Sequence, residues 1–276
     1  RSCLQEPFPE GAARIPAVLC SAIMELYERL GSLSLRLPGS VIHCGRPADW
    51  QLFLYYFCLA AFLLWRFQVR ENRKKQIAEA AVCGEEEAEE AEKRPEPQLK
   101  RKRLCSAGGL LLLNLLLLVR FSGGFQFTML DVGQGEARFL RTAAGTAILV
   151  DGGSTSVSKV GTYRILPFLK AEGVGRLDYV VATHLDKDHV SGIEELLLQS
   201  ARPGNLKIGT LLLSEASWKE EKGKELAALA RGSGVRIGTI GEGMILEDSS
   251  ARLDCLYPCA GVEYADTNAA SVTLRV

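Results

Sequence analysis

Residues 184–189 read His184-Leu185-Asp186-Lys187-Asp188-His189 and follow an apolar, β-branched stretch over residues 177–183. That stretch predicts a buried strand, and residues 190–198 predict the start of a helix. Neutral imidazoles and carboxylates are the ligands of hydrolytic metals, so four of them in one turn predict a metal site. A purely structural interpretation stays open, in which Asp188 only caps the following helix.

The spacing within this motif suits two cations rather than one. We expect His184 and Asp186 to point one way along the turn, and Asp188 and His189 to point the other way. Two divalent ions about 3.5–4 Å apart can activate water and hold the oxygens of a scissile group. Carboxylates beside the histidines favour a harder ion than zinc, so the motif is compatible with Mn²⁺ as well as Zn²⁺.

The composition of the 276 residues predicts one or two domains and excludes few functions. Lys plus Arg and Asp plus Glu both number 33, so the net charge does not indicate an acidic or a basic partner. The eight cysteines form no CxxC pair, which argues against a zinc ribbon. The sequence starts at Arg1 and stops inside an expected strand, so we expect a piece of a longer protein.

Two apolar stretches, residues 50–69 and 104–121, predict transmembrane helices. Trp and Tyr lie near the ends of the first stretch, as at a membrane interface. The second is short, and a buried helix or a signal-peptide-like segment is the alternative. Residues 70–103 between them carry runs of charge and predict a cytoplasmic loop, disordered or loosely helical. The positive-inside bias then places everything after Phe121 outside the cytoplasmic membrane.

The two ends of the chain differ in character. Residues 1–49 contain an amphipathic pattern over residues 15–30, which suits a membrane face or neighbouring helices. Residues 125–276 predict a soluble α/β domain with sheets packed on each other and helices outside. Its expected strands are 125–132, 136–142, 146–151, 177–183, 210–213, 237–240, 244–246, 253–258 and 270–276, and its expected helices are 163–171, 190–199 and 218–230.

Three motifs together resemble a known family. The six-residue turn is similar to the metallo-β-lactamase signature HxHxDH, with Asp186 in place of the second histidine. Two further motifs, residues 127–137 (FTMLDVGQGEA) and 149–153 (LVDGG), make the resemblance specific to one branch of this superfamily. Together they look like the hydrolase domain of ComEC-type competence proteins, the DNA-internalisation channels of bacteria, which commonly show DVGQGD and HxDxDH. Residues 37–56 resemble the end of the channel's membrane domain.

The resemblance implies a fold and a domain order. The expected fold is an α/β (α+β) metallo-β-lactamase-like αββα sandwich, incomplete at the C-terminus and preceded by two transmembrane helices. Residues 1–49 would end the competence membrane domain as an extracytoplasmic amphipathic segment, and residues 125–276 would be the truncated hydrolase domain. In the family, a further metal-bridging Asp follows the later Asn-x-x-Ser element, and this sequence stops before it.

The resemblance also implies roles for individual residues. Two divalent ions, Mn²⁺ or Zn²⁺, would be held by the motif, with Asp188 as the catalytic residue. Asp131 and Asp151 would support the site from beneath, although turn capping remains an alternative for both. Glu136 departs from the family, which usually has Asp at that position. The implied ligands are His184, Asp186, Asp188 and His189, and the other motif positions are Gly133, Gln134, Gly135, Asn268 and Ser271.

The expected function is that of a multi-pass plasma-membrane protein of DNA uptake. Its extracytoplasmic domain would be a metal-dependent hydrolase that cuts the DNA strand not taken in, with DNA, the membrane and other competence proteins as partners. Residues 125–276 hold 16 Lys and Arg against 19 Asp and Glu, so their charge does not itself indicate DNA. Two alternatives stay open: a membrane-anchored hydrolase of a small substrate such as a lactam or thioester, or a non-catalytic domain associated with the channel.

Overall fold

The computed structural model of the chain describes residues 14–35, 37, 40–83, 97–119, 123–259, 261–266 and 268–276. Its residues fall into two units, one of Cys44–Ser122 and one of Arg1–His43 with Gly123–Val276. The expectations for residues 1–13, for residues 84–96 of the charged loop and for residues 120–121 of the second span lie outside the described residues.

The helices and strands occur in the following order. The helices are α1 (Arg14–Ser34), α2 (Asp49–Cys83), α3 (Pro97–Leu116), α4 (Leu166–Ala171), α5 (Lys187–Ser200), α6 (Glu215–Lys219) and α7 (Glu221–Gly232). The strands are β1 (Gln126–Met129), β2 (Arg138–Arg141), β3 (Ala147–Val150), β4 (Arg176–Val181), β5 (Lys207–Leu213), β6 (Arg236–Thr239), β7 (Ile245–Glu247), β8 (Arg252–Tyr257) and β9 (Thr273–Arg275).

The unit of residues 44–122 contains one helical segment that is long and apolar enough to cross a membrane, among the residues described. This segment, Asp49–Lys75, has 27 residues and lies within α2. The expected second span is not shown, because the apolar part of α3 runs only from Ser106 to Leu116. At 1.5 Å per residue that part rises about 17 Å, against a hydrocarbon core of about 30 Å. Part of the predicted loop is helical, since α2 continues to Cys83 and α3 begins at Pro97.

The buried side chain of Gln51 joins the two helices of this unit. Its Nε2 donates to the carbonyl oxygens of Leu116 at 2.8 Å and Val119 at 2.9 Å, and its Oε1 accepts from the N–H of Ala48. The last carbonyls of a helix have no partner within the helix, and leaving them bare in an apolar environment is costly. Gln51 therefore satisfies the C-terminal end of α3.

The larger unit is built on a six-stranded sheet in the order β1-β2-β3-β4-β5-β6. The first two pairings are antiparallel and the remaining three are parallel. Consequently β1, β3, β4, β5 and β6 all run in one direction, and their carboxyl ends meet at one edge of the sheet. Loops at that edge carry functional side chains in many open α/β sheets.

Two apolar cores lie on opposite faces of this sheet. On one face, helices α4, α5 and α7 pack through residues such as Leu169, Ile193 and Leu226. On the other face, a three-stranded sheet, β7-β8-β9, packs through Leu253 and Cys255. The mixed α/β architecture and the sheet-on-sheet packing agree with the predicted sandwich. Three of its four expected layers, α, β and β, are present among the described residues.

The strands and the helix around the motif were predicted closely, whereas three other elements differ. A single helix over 218–230 was wrong: Ser214 accepts a hydrogen bond from the N–H of Ser217 and starts α6 earlier, and Glu220, in an extended conformation, separates α6 from α7. The helix expected over 163–171 begins instead as a π-helical turn, Gly161–Ile165. The sequence of residues 40–44 predicts a short strand, but the structure has a bend at Ser40 and no regular structure over residues 41–44.

Candidate metal centre

The six-residue motif lies at the edge where the parallel strands end. Asp151 directly follows β3, and Thr183 and His184 follow the neighbouring parallel strand β4. Helix α5 begins at Lys187, so Asp188 and His189 are in its first turn. Because β3 and β4 are in register, with Val150 beside Val181, the two loops leave the sheet together.

Glycines bring three loops into backbone contact at this edge. A Cβ on Gly135 would lie 2.2 Å from the carbonyl oxygen of Gly153, and a Cβ on Gly153 would lie 2.3 Å from the carbonyl carbon of Asp188. Hydrogen bonds lock the same contacts: Glu136 N–H donates to Asp188 O at 3.0 Å, and Gly153 N–H donates to Glu136 O at 3.1 Å. Gly135 and Gly153, one from each quoted motif, are therefore required by the close approach of backbone to backbone.

The four motif side chains form two His–Asp pairs, and the two imidazole rings lie against each other at an angle of 48°. His184 Nε2 lies 3.9 Å from Asp186 Oδ2, and His189 Nε2 lies 3.7 Å from Asp188 Oδ2. The two imidazole rings are 3.7 Å apart between centroids. Both histidines are largely buried, whereas the carboxylates of Asp186 and Asp188 are 46% and 41% exposed. The structure thus brings all four predicted ligands together, with the carboxylates towards solvent.

Asp151 lies fully buried beneath this cluster and organises it. Its backbone is left-handed, with φ of 60°, a conformation that Asp tolerates better than most residues. Its Oδ1 accepts from the Thr183 N–H at 2.8 Å, and its Oδ2 accepts from the Thr183 hydroxyl at 2.8 Å. The same carboxylate stands 3.1 Å from His189 Nδ1. Asp151 therefore holds the end of β4 and faces one histidine.

The hydroxyl group of Thr183 has a single proton, and where that proton goes decides which ring nitrogen of His184 can bind a metal ion. Thr183 Oγ1 donates that proton to Asp151 and lies 3.1 Å from His184 Nδ1. The hydroxyl can then only accept from His184, so Nδ1 carries the hydrogen. Nε2 is left with its lone pair, on the side of Asp186. A hydrogen bond to the far nitrogen orients metal-binding histidines in the same way.

The two histidines differ in their pKa. Burial lowers the pKa of His184, and the neighbouring His189 lowers it further, against the opposite effect of nearby carboxylates. Burial also opposes protonation of His189, but the adjacent Asp151 carboxylate outweighs it and, with Asp188 and Glu136, raises the pKa of His189. His184 is therefore the more readily available neutral ligand at neutral pH.

These residues fit a divalent cation. His189 Nδ1 is buried and close to Asp151, yet its angles make no hydrogen bond with any described residue. Imidazoles and carboxylates are the donor set of Mn²⁺ and Zn²⁺ sites, and the carboxylates of Asp186 and Asp188 lie beside the two imidazoles with their oxygens partly exposed.

Asn268 and Ser271, expected from the resemblance, reach the motif from far along the chain. Asn268 Nδ2 donates to Asp186 Oδ2 at 2.9 Å, and Ser271 Oγ lies 3.4 Å from His184 Nδ1. The N–H of Val272 also donates to Thr183 O at 3.0 Å. The final segment of the chain therefore holds one half of the cluster, His184 with Asp186.

Asp131 is not brought to the metal cluster. Its side chain is 87% exposed, lies 3.6 Å from Arg164 Nη1 and accepts from the N–H of Gly133 at 3.3 Å. This last contact is a local turn interaction, the alternative that the sequence left open. Gln134 acts through its backbone, since its N–H donates to Ser156 Oγ and its carbonyl accepts from Thr155.

Sequence reasoning missed two members of the site. Thr183 went unremarked at the end of an apolar strand, although its hydroxyl links Asp151 to His184. Arg138 also went unremarked, although it pairs with both Glu136 and Asp151. A cation on a short strand flanked by buried residues was the available signal for Arg138, because charges in such positions are usually paired.

Parts of the chain are similar to known proteins. Residues 130–201 match the family model described as the Metallo-beta-lactamase superfamily. The chain is 29% identical over 143 residues to ComE operon protein 3 of Bacillus subtilis (strain 168), which covers 47% of this chain and 18% of that protein. It is 40% identical over 67 residues to Competence protein ComA of Neisseria gonorrhoeae, which covers 24% of this chain and 9% of that protein.

Two further similarities were found. The chain is 35% identical over 108 residues to Recombination protein 2 of Haemophilus influenzae, over 37% of this chain and 14% of that protein. The solved structure of the metallo-beta-lactamase fold protein YhfI from Bacillus subtilis is 18% identical, with a TM-score of 0.35, over 51% of this chain and 50% of that one. The chain spans less than a fifth of the length of the curated relatives it matches.

The family match defines residues 130–201 as a metallo-β-lactamase-like region, and the predicted fold is confirmed in its mixed α/β sheet. The expected resemblance to ComEC-type competence proteins is confirmed as well, since the curated relatives include a ComE operon protein and a competence protein.

Proposed function

We propose that this chain is part of a membrane protein of DNA uptake, and that its metallo-β-lactamase-like region hydrolyses DNA phosphodiesters with divalent metal ions. The observation that carries the proposal is the convergence of His184, Asp186, Asp188 and His189 at one edge of the sheet, in a chain similar to competence proteins. The candidate span Asp49–Lys75 supports a membrane location. We also propose that residues 104–121 cross the membrane a second time. With the basic 70–103 segment on the cytoplasmic side, this crossing puts the hydrolase region outside the cytoplasmic membrane.

Each motif residue has a part in this chemistry. His184, through Nε2, would hold the metal together with Asp186, Asp188 and His189. Bound ions would supply an activated water and neutralise the charge of a phosphodiester. Asp188, exposed and 3.7 Å from His189 Nε2, is placed to orient the water and take its proton as the catalytic residue. Asp151 and Thr183 hold the two histidines in place from below.

The net charge of residues 125–276 favours a second candidate function. Residues 125–276 carry three more acidic than basic residues. Four of these acidic residues, Glu215, Glu242, Glu263 and Asp266, lie beyond the ends of β5, β6 and β8 and line a cavity of about 470 Å³. Such a surface does not attract a polyanion. Hydrolysis of a small substrate by the same site is therefore the alternative, because the site and its loops rather than the fold decide the substrate.

One experiment separates the two candidates. The chain, purified in detergent micelles, would be incubated with labelled single- and double-stranded DNA, and separately with a lactam and a thioester, in Mn²⁺ or Zn²⁺. Asp188→Ala is the inactive variant, and Asp131→Ala, away from the cluster, is the matched control. DNA cleavage that needs metal and Asp188 but not Asp131 supports the proposal. Turnover of only the small substrates, or metal binding without cleavage of DNA, contradicts it.

A further inference from the structure

A second donor cluster lies behind the motif. Glu136, Asp151 and His189 each offer a ligand atom, and these atoms all lie within 4.8 Å of one another. Two carboxylates and an imidazole are ligands that hold a divalent cation in many proteins. By its donor set alone, this triad would be an additional metal site, deeper than the exposed side of the motif.

Arg138 already places a positive charge at this triad. From strand β2, its Nη2 pairs with Glu136 Oε2, and its Nη1 lies 3.6 Å from Asp151 Oδ2. The guanidinium thus spans both carboxylates. A guanidinium has no lone pair to offer, so Arg138 cannot become a metal ligand, and its positive charge lies where a bound cation would lie.

We propose that Arg138 is a built-in counter-cation that excludes a metal ion from the triad of Glu136, Asp151 and His189. Metal ions then bind only on the exposed side of the motif, around the carboxylates of Asp186 and Asp188. Two like charges within a few ångströms repel strongly at a partly buried site, which is why guanidinium and metal compete for the same oxygens. This inference rests on the proposed metal binding for the exposed side only.

The same strand provides a matched control for Arg138. Arg141 also sits on β2 and also pairs with a glutamate, with Nη2 at 3.3 Å from Glu172 Oε2. The exposed fractions of the two arginine side chains are nearly equal, 31% for Arg138 and 32% for Arg141. Glutamine at either position removes one cation from β2. Only the change at Arg138 removes the positive charge from the triad of Glu136, Asp151 and His189.

The test is the number of metal ions bound, measured by isothermal titration with MnCl₂ on the 276-residue chain in detergent micelles. We expect Arg138→Gln to bind one more Mn²⁺ ion per chain than the wild type, and Arg141→Gln to bind the same number. Glu136→Gln in the wild-type background should leave Mn²⁺ affinity within about twofold, because Glu136 is held by Arg138. The double variant Glu136→Gln/Arg138→Gln should lose the added ion.

Two results would overturn the inference. One is an unchanged ion count in folded Arg138→Gln, checked by circular dichroism. The other is a loss of tenfold or more in wild-type affinity on Glu136→Gln, because Glu136 would then be a ligand despite Arg138. If Arg138→Gln does not fold, the Glu136→Gln result alone decides. A wild-type chain that binds no Mn²⁺ contradicts the proposed function. The inference about Arg138 is still decided in that case, by whether Arg138→Gln binds an ion that the wild type does not bind.

Discussion

Replacing Thr183 by valine tests whether the buried pair of Thr183 and Asp151 supports the histidines of the site. Valine keeps the shape of threonine, so no cavity is made, but the hydroxyl that donates to Asp151 at 2.8 Å is lost. A hydrogen bond to a charged group contributes about 1.5–3 kcal/mol. Asp151 keeps the Thr183 N–H and the nearby Arg138. We therefore expect the free energy of unfolding to fall by about 2 kcal/mol.

The same change should weaken metal binding. Without the hydroxyl, the Nδ1–H of His184 loses the acceptor at 3.1 Å that fixes which nitrogen is free. Removing a partner of this kind typically lowers metal affinity about 10–100-fold. Stability is read from urea unfolding without metal, and affinity from titration with Mn²⁺, both in detergent micelles.

Thr210→Val provides the control for this prediction. Thr210 lies on the adjacent strand β5, beside Tyr179 of β4, and away from the carboxylates of the site. Its replacement should change the free energy of unfolding by less than about 0.5 kcal/mol. If Thr183→Val were as stable as the control and bound Mn²⁺ equally well, the hydroxyl would neither hold Asp151 nor orient His184, and our account of the site would be wrong.

Three other changes test separate features. Asp151→Asn should keep the left-handed turn but weaken Mn²⁺ binding about tenfold or more. Asp151→Ala should weaken binding and also lower the unfolding temperature. Equal unfolding temperatures for the two variants would refute this expectation. Gly153→Ala should abolish Mn²⁺ binding, because its Cβ would lie 2.3 Å from the backbone of Asp188. The control Gly232→Ala has open space around its Cβ and should raise the free energy of unfolding, measured by thermal unfolding, by up to about 1 kcal/mol. Gln51→Leu should remove the side-chain donor from the carbonyls of Leu116 and Val119, which leaves Leu116 O only the bond from the Val119 N–H at 3.3 Å. Hydrogen exchange in residues 110–119 should then become faster, and unchanged exchange would contradict the role of Gln51 at the end of α3.

Local pattern was enough to predict the elements around the site. The apolar run before His184 became β4, and the residues after Asp186 became helix α5. The glycine motifs were identified by resemblance, and the structure gives their physical reason in backbone contact. The least accurate predictions were those that depend on where a helix starts or how far it extends, as with Ser214 at α6 and Leu116 at the end of α3.

Partnerships across the fold could not be predicted from local pattern. Arg138 meets Asp151 only because β2 and β3 are neighbours, and Asn268 reaches Asp186 across 82 positions of the chain. The resemblance implied the same supporting role for Asp131 and Asp151, yet the side chain of Asp131 is exposed and that of Asp151 is fully buried. Sequence spacing cannot distinguish them, because burial is decided by the loops that fold over each strand end.

The interlocked loops have a consequence for the energetics of the whole domain. Gly135, Gly153 and Asp188 meet only when three separate stretches of chain have docked, so the unfolded chain offers no equivalent arrangement of ligands. An ion that binds the native form alone adds its binding free energy to stability, about 2.7 kcal/mol when its concentration is a hundred times the dissociation constant. The concentration of available metal would thereby shift the equilibrium between the folded and the unfolded domain, independently of any reaction at the site.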